Sequence, residues 1–393
     1  MTKMDITLLF HKKMKPGYII SLASVLLAAF SFGSCSRIEY PGDSSEAGGA
    51  ITFRAGIELV QSDPSTKTLN TNTTFSEGDR FTVFGRRTGE GRNTRIFYKD
   101  DAPDPSGNFQ GVTVTREASE WTYSPLSYWY WVNESNYYDF IAVHPHTAPA
   151  ERMMEDGVDI PGYMAVKSQY SLSTHTHDLL MAATRRQGHV ADRTAPVNLV
   201  FNHMLCAVKV IVTNESADTD LTLSSVSINN LNQSAYAKMT IDSGGEPEYY
   251  WIDSQRTGAD ASIFTGSQVI THGNNYSTEF LLLIPGDLSD TIDGSLAPEE
   301  GEADYETKLA AYESKVPHLN VGFTVNDTPL APSIMLKDIQ RTQFGNEDPL
   351  SVWEPGIRYT YHIGIRLDGG IIIRVVTTEW EDIEAETPGL LIE

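Results

Sequence analysis

Alternating apolar and polar positions run through most of the sequence after residue 50, and this pattern predicts half-buried β-strands. The first such stretch is residues 50–60, and turn-forming residues follow it as far as residue 74. The alternate positions of this stretch would form one inward row of apolar side chains, which consists of Ile51, Phe53, Ala55, Ile57 and Leu59. We therefore expect a core strand here.

The same alternation continues towards the end of the chain. Residues 358–367 alternate Tyr, Ile and Leu with polar side chains, and residues 371–378 form a second apolar stretch. Between them, Asp368, Gly369 and Gly370 give a turn signal, so the two stretches predict a β-hairpin. Residues 299–313 differ, since their composition predicts a charged surface helix. Because short strands and turn signals dominate, we expect an all-β fold of the β-sandwich type.

A different pattern opens the chain. Lys15 precedes an apolar run over residues 18–32, and small residues then lead to Cys35. A cationic flank, a short apolar segment and small residues before a cleavage site are typical of a secretory signal peptide. The run is shorter than the about 20 residues that a membrane-spanning helix needs. We expect residues 1–34 to be a signal peptide and the polar residues 35–49 to be a flexible tether.

The remaining length suits two domains, each large enough to bury its own core. A basic, Gly-containing segment at residues 184–194 suggests where they divide. We place the N-terminal domain at residues 50–190 and the C-terminal domain at residues 191–393. The small residues directly before Cys35, at the end of the apolar run, resemble the lipobox of bacterial lipoproteins, which implies that Cys35 carries lipid. Cys206 would then have no disulfide partner, so stability has to come from apolar burial.

Charge excludes several classes of partner. The sequence has 52 acidic and 29 basic residues and a formal net charge of −23. Loss of residues 1–34 would bring the charge to −26, because it removes four lysines and one aspartate. So acidic a surface would repel nucleic acid and anionic membrane headgroups, and it favours solubility outside the cell.

Candidate catalytic or metal-binding chemistry is sparse. His144 with His146 and His175 with His177 are His-x-His arrangements, which on a strand would face the same way. The second pair, with Asp178 as a third ligand, could hold zinc in a metallohydrolase. Nothing else supplies ligands at a diagnostic spacing, and motifs for phosphate, dinucleotide or nucleophile loops are missing. We predict no enzyme, no cofactor and no metal.

Two further residue groups invite interpretation. His203 is expected to be a packed, hydrogen-bonded histidine rather than a catalytic one. The aromatic run at residues 121–131 could pack into a core, or it could present Tyr128 and Tyr130 as a stacking surface for a glycan.

Several short motifs occur in an order that resembles a known protein family. After Cys35, the sequence contains FSEGDRFTVFG (75–85), WTYSPLSYW (121–129), YYDFIAVHP (137–145), HDLLMAA (177–183), VNLVFNHMLCAVKVIV (197–212), FLLLIPG (280–286), WEPGIRYTYHIGI (353–365) and Trp380. In this the chain resembles the fimbrillin-like (Mfa-like) family, the lipoprotein subunits of type V pili of anaerobic diderm bacteria. The resemblance covers nearly all of residues 50–385.

The resemblance implies two transthyretin-like β-sandwich domains in tandem after a lipoprotein signal peptide, with Cys35 lipidated at the outer membrane. It also implies that a surface protease cleaves after Arg or Lys and removes the first strand. A strand from another pilin subunit would then fill the groove. On this chain the leaving strand would be residues 50–60, cut after Lys67 or Arg54. Lys67 is favoured because proteolysis prefers polar loops, and an uncut, anchor-type subunit stays an alternative.

The donor strand implied by the resemblance would be residues 380–393, but acidic residues and Pro388-Gly389 interrupt its alternation. The position of the subunit, in the stalk, at the tip or at the anchor of the pilus, is therefore left open. We predict a structural or adhesive pilus subunit. The first alternative is a monomeric surface lipoprotein that binds a glycan or a host protein, and a more remote one is the metallohydrolase.

Overall fold

The computed structural model describes most of the chain after residue 46. The described residues are 47–57, 75–89, 92–95, 111–118, 120–123, 129–131, 137–155, 158–159, 164–175, 177–187, 195–255, 258–291, 294–339, 349–366 and 370–379. The predicted signal peptide and Cys35 lie outside them. Within these residues, no helix combines the length and the hydropathy needed to cross a membrane.

Strands account for nearly all regular structure, as the alternation predicts. As far as residue 203, the strands are β1 (Ala47–Ala50), β2 (Phe53–Ile57), β3 (Arg80–Gly89), β4 (Arg92–Arg95), β5 (Val112–Glu117), β6 (Glu120–Thr122), β7 (Trp129–Trp131), β8 (Tyr137–His144), β9 (Ala150–Arg152), β10 (Met154–Glu155), β11 (Val158–Asp159), β12 (Met164–Ser171), β13 (Leu180–Gln187) and β14 (Val197–His203). After residue 203, the elements are β15 (Cys206–Asn214), β16 (Leu221–Leu231), β17 (Ser234–Ile241), β18 (Pro247–Gln255), β19 (Ala259–Ile270), β20 (Asn275–Ser277), β21 (Leu281–Leu283), β22 (Gly286–Asp287), α1 (Tyr305–Glu313), β23 (His318–Val325), β24 (Thr328–Leu330), β25 (Ser333–Met335), a 3-10 turn (Leu336–Asp338), β26 (Val352–Trp353), β27 (Ile357–Arg366) and β28 (Gly370–Glu379).

The first large sheet closes on itself. Its strand order is β4-β3-β5-β6-β2-β14-β13-β8, and β3 also pairs with β8. Alternate positions of these strands point inwards and bury a cluster rich in aromatic rings, which includes Phe53, Phe81, Trp121, Phe140, Leu199 and Phe201. The period of two along each strand therefore produces a filled interior.

A second sheet packs on the outside of the closed sheet. Its strand order is β18-β17-β12-β9. The outward positions of β3, β8 and β13 meet its apolar side chains in a core cluster that includes Phe84, Ile141, Met181, Val166, Ala237 and Met239. Strands β3, β8 and β13 are therefore apolar on both faces.

Two further sheets enclose the third core. The third sheet has the order β20-β15-β27-β28, with β21 also paired to β15, and the fourth has the order β19-β16-β23-β24, with β25 paired to β23. Their facing rows include Cys206, Val208, Val210, Val226, Leu319, Tyr359 and Tyr361. The predicted hairpin is confirmed, since β27 and β28 pair antiparallel from Ile357–Glu379 to Arg366–Gly370.

One sequence-based boundary needs correction, and the boundary between the two expected domains stays a prediction. The helix predicted over residues 299–313 starts later, at Tyr305, because Gly301 and Asp304 have positive φ angles of 93° and 60°. The domain boundary at residue 190 falls between β13 and β14, which are paired neighbours in the closed sheet. Strands β17 and β18 also come back to pair beside β12. The two-domain organisation itself stays a prediction.

A buried charge cluster lies on the outer face of the closed sheet. The guanidinium of Arg86 donates two hydrogen bonds to Asp139 Oδ2, with Nη2 at 2.6 Å, and both side chains are almost fully buried. Arg185 donates to both carboxylate oxygens, and its guanidinium also donates to the backbone carbonyls of Asp242 and Ser243 at 2.9 Å. Asp139 therefore holds two arginines, one of which reaches the β17–β18 turn in the second sheet.

We predict that Asp139→Asn lowers the free energy of unfolding by about 3–5 kcal/mol, because it leaves two buried or half-buried guanidinium groups without their counter-charge. Chemical denaturation of the purified chain measures the change. Glu215→Gln is the matched control, since Glu215 accepts from Arg366 Nε at 2.8 Å in a more exposed pair, where about 1 kcal/mol or less is expected. Equal losses in the two variants would contradict the prediction.

Candidate functional site

Strand β2 occupies an unusual place in the closed sheet. It lies between β14, which runs parallel to it, and β6, which runs antiparallel. The pairing with β14 extends over five residues, from Phe53–Val197 to Ile57–Phe201, whereas among the described residues the ladder with β6 contains the Phe53–Trp121 pair alone. Within the described residues, β14 therefore provides most of the main-chain pairing of β2.

Two hydrogen bonds hold the residues that lead into β2. The Val197 amide donates to the Thr52 carbonyl at 2.8 Å, and the Tyr123 hydroxyl donates to the Ile51 carbonyl at 2.9 Å. Tyr123 is itself buried. The entrance to β2 is thus fixed from β14 on one side and from the residue after β6 on the other.

The predicted inward row of this stretch is buried in the core. Ile51 is 0% exposed, Phe53 5%, Ala55 3% and Ile57 6%. The Phe53 ring packs edge-on against three aromatic rings, with centroid distances of 6.0 Å to Phe81, 6.2 Å to Tyr123 and 5.8 Å to Phe140. Leu59, the last member of the row, lies outside the described residues.

Of the two candidate cleavage residues, Arg54 is among the described residues and Lys67 is not. Arg54 is exposed on the outer face of β2, in register with Asn198 of β14, so its backbone lies inside a paired strand. Lys67 lies outside the described residues. The predicted tether of residues 35–49 ends in part of a strand, because β1 pairs with β7.

A cluster of aromatic rings packs beside the groove between β6 and β14 that β2 fills, which we call the β2 slot. The Phe75 ring packs at 5.4 Å from Phe201, 5.2 Å from Trp121 and 5.1 Å from His144. Phe201 is the residue of β14 that pairs with Ile57, and Trp121 is the residue of β6 that pairs with Phe53, so Phe75 packs against both neighbours of β2. Trp121 and Tyr123 serve as core residues, while Tyr128 and the side chain of Tyr130 lie outside the described part of the chain.

Four histidines lie close to one another beside the ends of β8 and β14, namely His144, His175, His177 and His203. His203 Nδ1 lies 2.6 Å from Asp178 Oδ2, which fits the packed, hydrogen-bonded role that we predicted. His175 Nδ1 accepts from the Ser171 amide at 2.9 Å, and its ring lies 5.2 Å from that of His177. Among the described residues, no group of three His, Cys, Asp or Glu side chains is placed to hold a metal ion.

Burial changes the protonation of this group. It lowers the pKa of His144, although a hydrogen bond with the Arg80 carbonyl and the nearby Asp79 and Asp178 oppose this effect. Burial also lowers the pKa of His146, helped by the charge of Arg80, and that of His177, helped by His175 and His144. Burial raises the pKa of the adjacent Tyr170 to about 12. At neutral pH these three imidazoles are therefore uncharged.

The sequence did not indicate that three members of this site contact β2. Phe75, Tyr123 and the partner strand β14 are distant from β2 along the chain, and alternation indicates a face of a strand but not its neighbour. Phe75 stands at the start of the FSEGDRFTVFG motif, which was the available signal for it.

The fold is that of an all-β protein whose first core strand, as far as the described residues show, is paired mainly on one side. In a comparison with known protein families, the fimbrillin-like family matches residues 66–380 of the chain. The chain belongs to the fimbrillin-like family. Membership implies a structural or adhesive protein of a cell-surface fimbrium, which interacts with other subunits.

Solved structures of similar fold include fimbrial proteins. A fimbrial protein from Bacteroides vulgatus is 14% identical, covers 84% of this chain and 99% of its own, and has a TM-score of 0.49. The tip fimbrial protein of Porphyromonas gingivalis, with a C-terminal truncation, is 10% identical, covers 77% of this chain and 95% of its own, and has a TM-score of 0.34. No curated protein matches the chain. Because both TM-scores are below 0.5, the assignment rests on the family match.

We predict that Phe53→Ala lowers the free energy of unfolding by about 3–5 kcal/mol, because it leaves a cavity among three aromatic rings. The adjacent substitution Arg54→Ala, on the exposed face of the same strand, should change it by about 0.5 kcal/mol or less. Urea denaturation of both variants measures the difference. Similar small effects would show that β2 contributes little to the core.

We also predict that the protein loses stability as the pH falls below 6.5. The unfolded chain binds protons at its histidines near that ordinary pKa, whereas His144, His146 and His177 in the folded chain bind them at lower pH. Their contribution is therefore complete above pH 6.5 and decreases below it. Thermal unfolding between pH 7.5 and 5.5 tests this.

A variant carrying His144→Asn and His177→Asn should have a shallower dependence on pH than the unsubstituted chain. Burial also lowers the pKa of His362, which lies elsewhere, so His362→Asn measures the share that does not come from this site. An identical pH dependence in the double variant and the unsubstituted chain would refute the assignment.

Proposed function

We propose that this protein is a subunit of a type V pilus and that it assembles by strand exchange at the β2 slot. The observation that supports the proposal most directly is the buried row of β2, which fills the core of a closed sheet, while in the part of the chain that the structure describes its pairing depends mainly on β14. To leave, β2 would have to break its five-pair ladder with β14 and, among the described residues, a single pair with β6.

The energetics of the slot favour replacement of the strand over an empty groove. Burial of each large apolar side chain of the row contributes about 1.5–3 kcal/mol, and Ile51, Phe53 and Ile57 are such side chains. An empty slot would also leave the paired main-chain groups of β14 unsatisfied. A strand from a second subunit would restore both the apolar burial and the main-chain hydrogen bonds of β14, because main-chain pairing gives affinity and alternate side chains fill the pockets.

Three predictions from the sequence correspond to successive steps of this assembly, which are lipidation, cleavage and donation of a strand. Cys35 carries the lipid that holds the newly exported chain at the outer membrane. Cleavage after Lys67 separates this anchor and residues 50–60 from the rest of the subunit, whereas cleavage after Arg54 would separate the anchor and residues 50–54 only. Lys67 is preferred because Arg54 lies within the paired part of β2. Residues 380–393 are the candidate donor strand.

Limited trypsin digestion of the purified chain tests the proposal. We expect one early cut near Lys67, a core that stays folded, and SDS-resistant oligomers that appear after the cut. Lys67→Gln should suppress both the cut and the oligomers, whereas Arg54→Gln should leave them unchanged.

A synthetic peptide of residues 50–60, added in excess during digestion, should refill the slot and reduce the oligomers. The same peptide with Phe53→Ser and Ile57→Ser is the matched control and should not compete, because it cannot fill the apolar pockets. Persistent monomer after a complete cut near Lys67 would argue against assembly through this slot.

A further inference from the structure

A groove opens along one side of the third core, between an edge of the third sheet and an edge of the fourth. Residues 258–262, which include the start of β19, form one wall, and residues 280–283, which include β21, form the other. Tyr170 and Leu172, at the end of β12, line it from the second sheet. We call this cavity the β19 groove. Its volume is about 510 Å³, which falls within the roughly 300–1,000 Å³ of ligand sites in proteins.

The two walls of the β19 groove differ in the size of their side chains. Residues 280–283 are Phe-Leu-Leu-Leu, and three of these four side chains stay partly accessible. The opposite wall carries Gly258, Ala259 and Ala261, which reach little way into the cavity. An occupant therefore has to supply the apolar side chains that fill the space between the walls, and burial of each large one is favourable.

Main-chain groups along the β19 groove are open to a further strand. Among the described residues, β19 pairs with β16 alone and β21 with β15 alone. Between the pairs Ile228–Ala261 and Leu231–Ala259 the extra residue belongs to β16, so β19 keeps the regular spacing of a strand here. Edge strands are commonly protected from pairing by Lys or Pro, and β19 contains neither.

Asp260 sets the charge of the β19 wall. Its side chain is exposed, and within the described part of the chain it has neither an ion pair nor a hydrogen bond. The chain as a whole has a formal net charge of −23, so a basic residue is favoured beside Asp260. On the opposite wall, the Phe280 ring contacts Lys209 at 4.7 Å and Arg358 at 5.2 Å. A basic residue of the occupant therefore belongs on the side of β19.

We propose that the β19 groove binds an extended segment of a partner protein, apolar at alternate positions and basic on the face beside Asp260. The segment adds a strand to the fourth sheet, with its main chain paired to β19 and its apolar side chains between the two walls. Five residues, at about 3.3 Å each, span the wall of residues 258–262. The groove lies on a different sheet from the β2 slot, so the inference depends neither on cleavage nor on pilus assembly.

Fluorescence anisotropy with a labelled peptide tests the proposal on the uncleaved, purified chain. The probe is the peptide Val-Thr-Val-Lys-Val-Thr-Val, which presents valine on one face and lysine on the other. We expect saturable binding with a dissociation constant below about 1 mM. Replacement of the lysine of the probe with glutamate should weaken binding about threefold or more, because an ion pair with Asp260 becomes a repulsion. A probe methylated at alternate backbone nitrogens should not bind, since it keeps the side chains but cannot pair with β19.

Two pairs of variants locate the binding site. Asp260→Lys should reverse the preference, so that the glutamate probe binds more tightly than the lysine probe, whereas Glu300→Lys makes the same charge change at an exposed position outside the groove and should not. Ala261→Phe fills the groove and should abolish saturable binding. Ser267→Phe is its matched control, at an exposed position of β19 beyond the groove. Thermal unfolding of each variant verifies that the fold is intact.

Three results would overturn the proposal. One is the absence of saturable binding of the lysine probe up to about 1 mM. Another is equal binding of the methylated probe, because the groove would then take apolar molecules without adding a strand. The third is a preference for the lysine probe that survives in folded Asp260→Lys, because the segment would then bind elsewhere on the chain.

Discussion

The parallel pairing of β2 with β14 is the constraint on which the closed sheet depends. Five residue pairs attach the start of the described chain to a strand more than 140 positions later. Without β2, the sheet would be open between β6 and β14, and the aromatic interior would face solvent. The closed sheet in turn supplies the outer surface against which the second sheet packs. A short strand near one end of the chain therefore completes two layers of the structure.

The local alternation of apolar and polar residues was enough to predict which side chains of these strands are buried. The row of Ile51, Phe53, Ala55 and Ile57 is buried as expected, and the hairpin of β27 and β28 has its predicted partners. The all-β fold and the family were likewise predicted from the sequence, because they depend on alternation and on the order of short motifs. Cleavage, lipidation and the donor strand stay predictions.

Long-range relations could not be predicted in the same way. Alternation does not indicate that β14 lies beside β2, nor that the strands on either side of residue 190 are neighbours. Asp139 did carry a signal, since it is a charged residue within the apolar run YYDFIAV, but its two arginine partners come from β3 and β13. Spacing along the sequence likewise did not indicate the partners of the histidines, which are Asp178 for His203 and the Ser171 amide for His175.

The position of Cys206 has a chemical consequence for any assembly of this protein. Its side chain is fully buried in the third core, its thiol lies 3.5 Å from the Leu283 carbonyl, and burial raises the pKa of the thiol. A protonated, enclosed thiol neither attacks disulfides nor reacts with oxidants at the surface. If Cys35 is lipidated or removed, as the proposed function requires, the subunit carries no thiol open to exchange. Contacts between such subunits would then hold equally well in reducing and in oxidising surroundings.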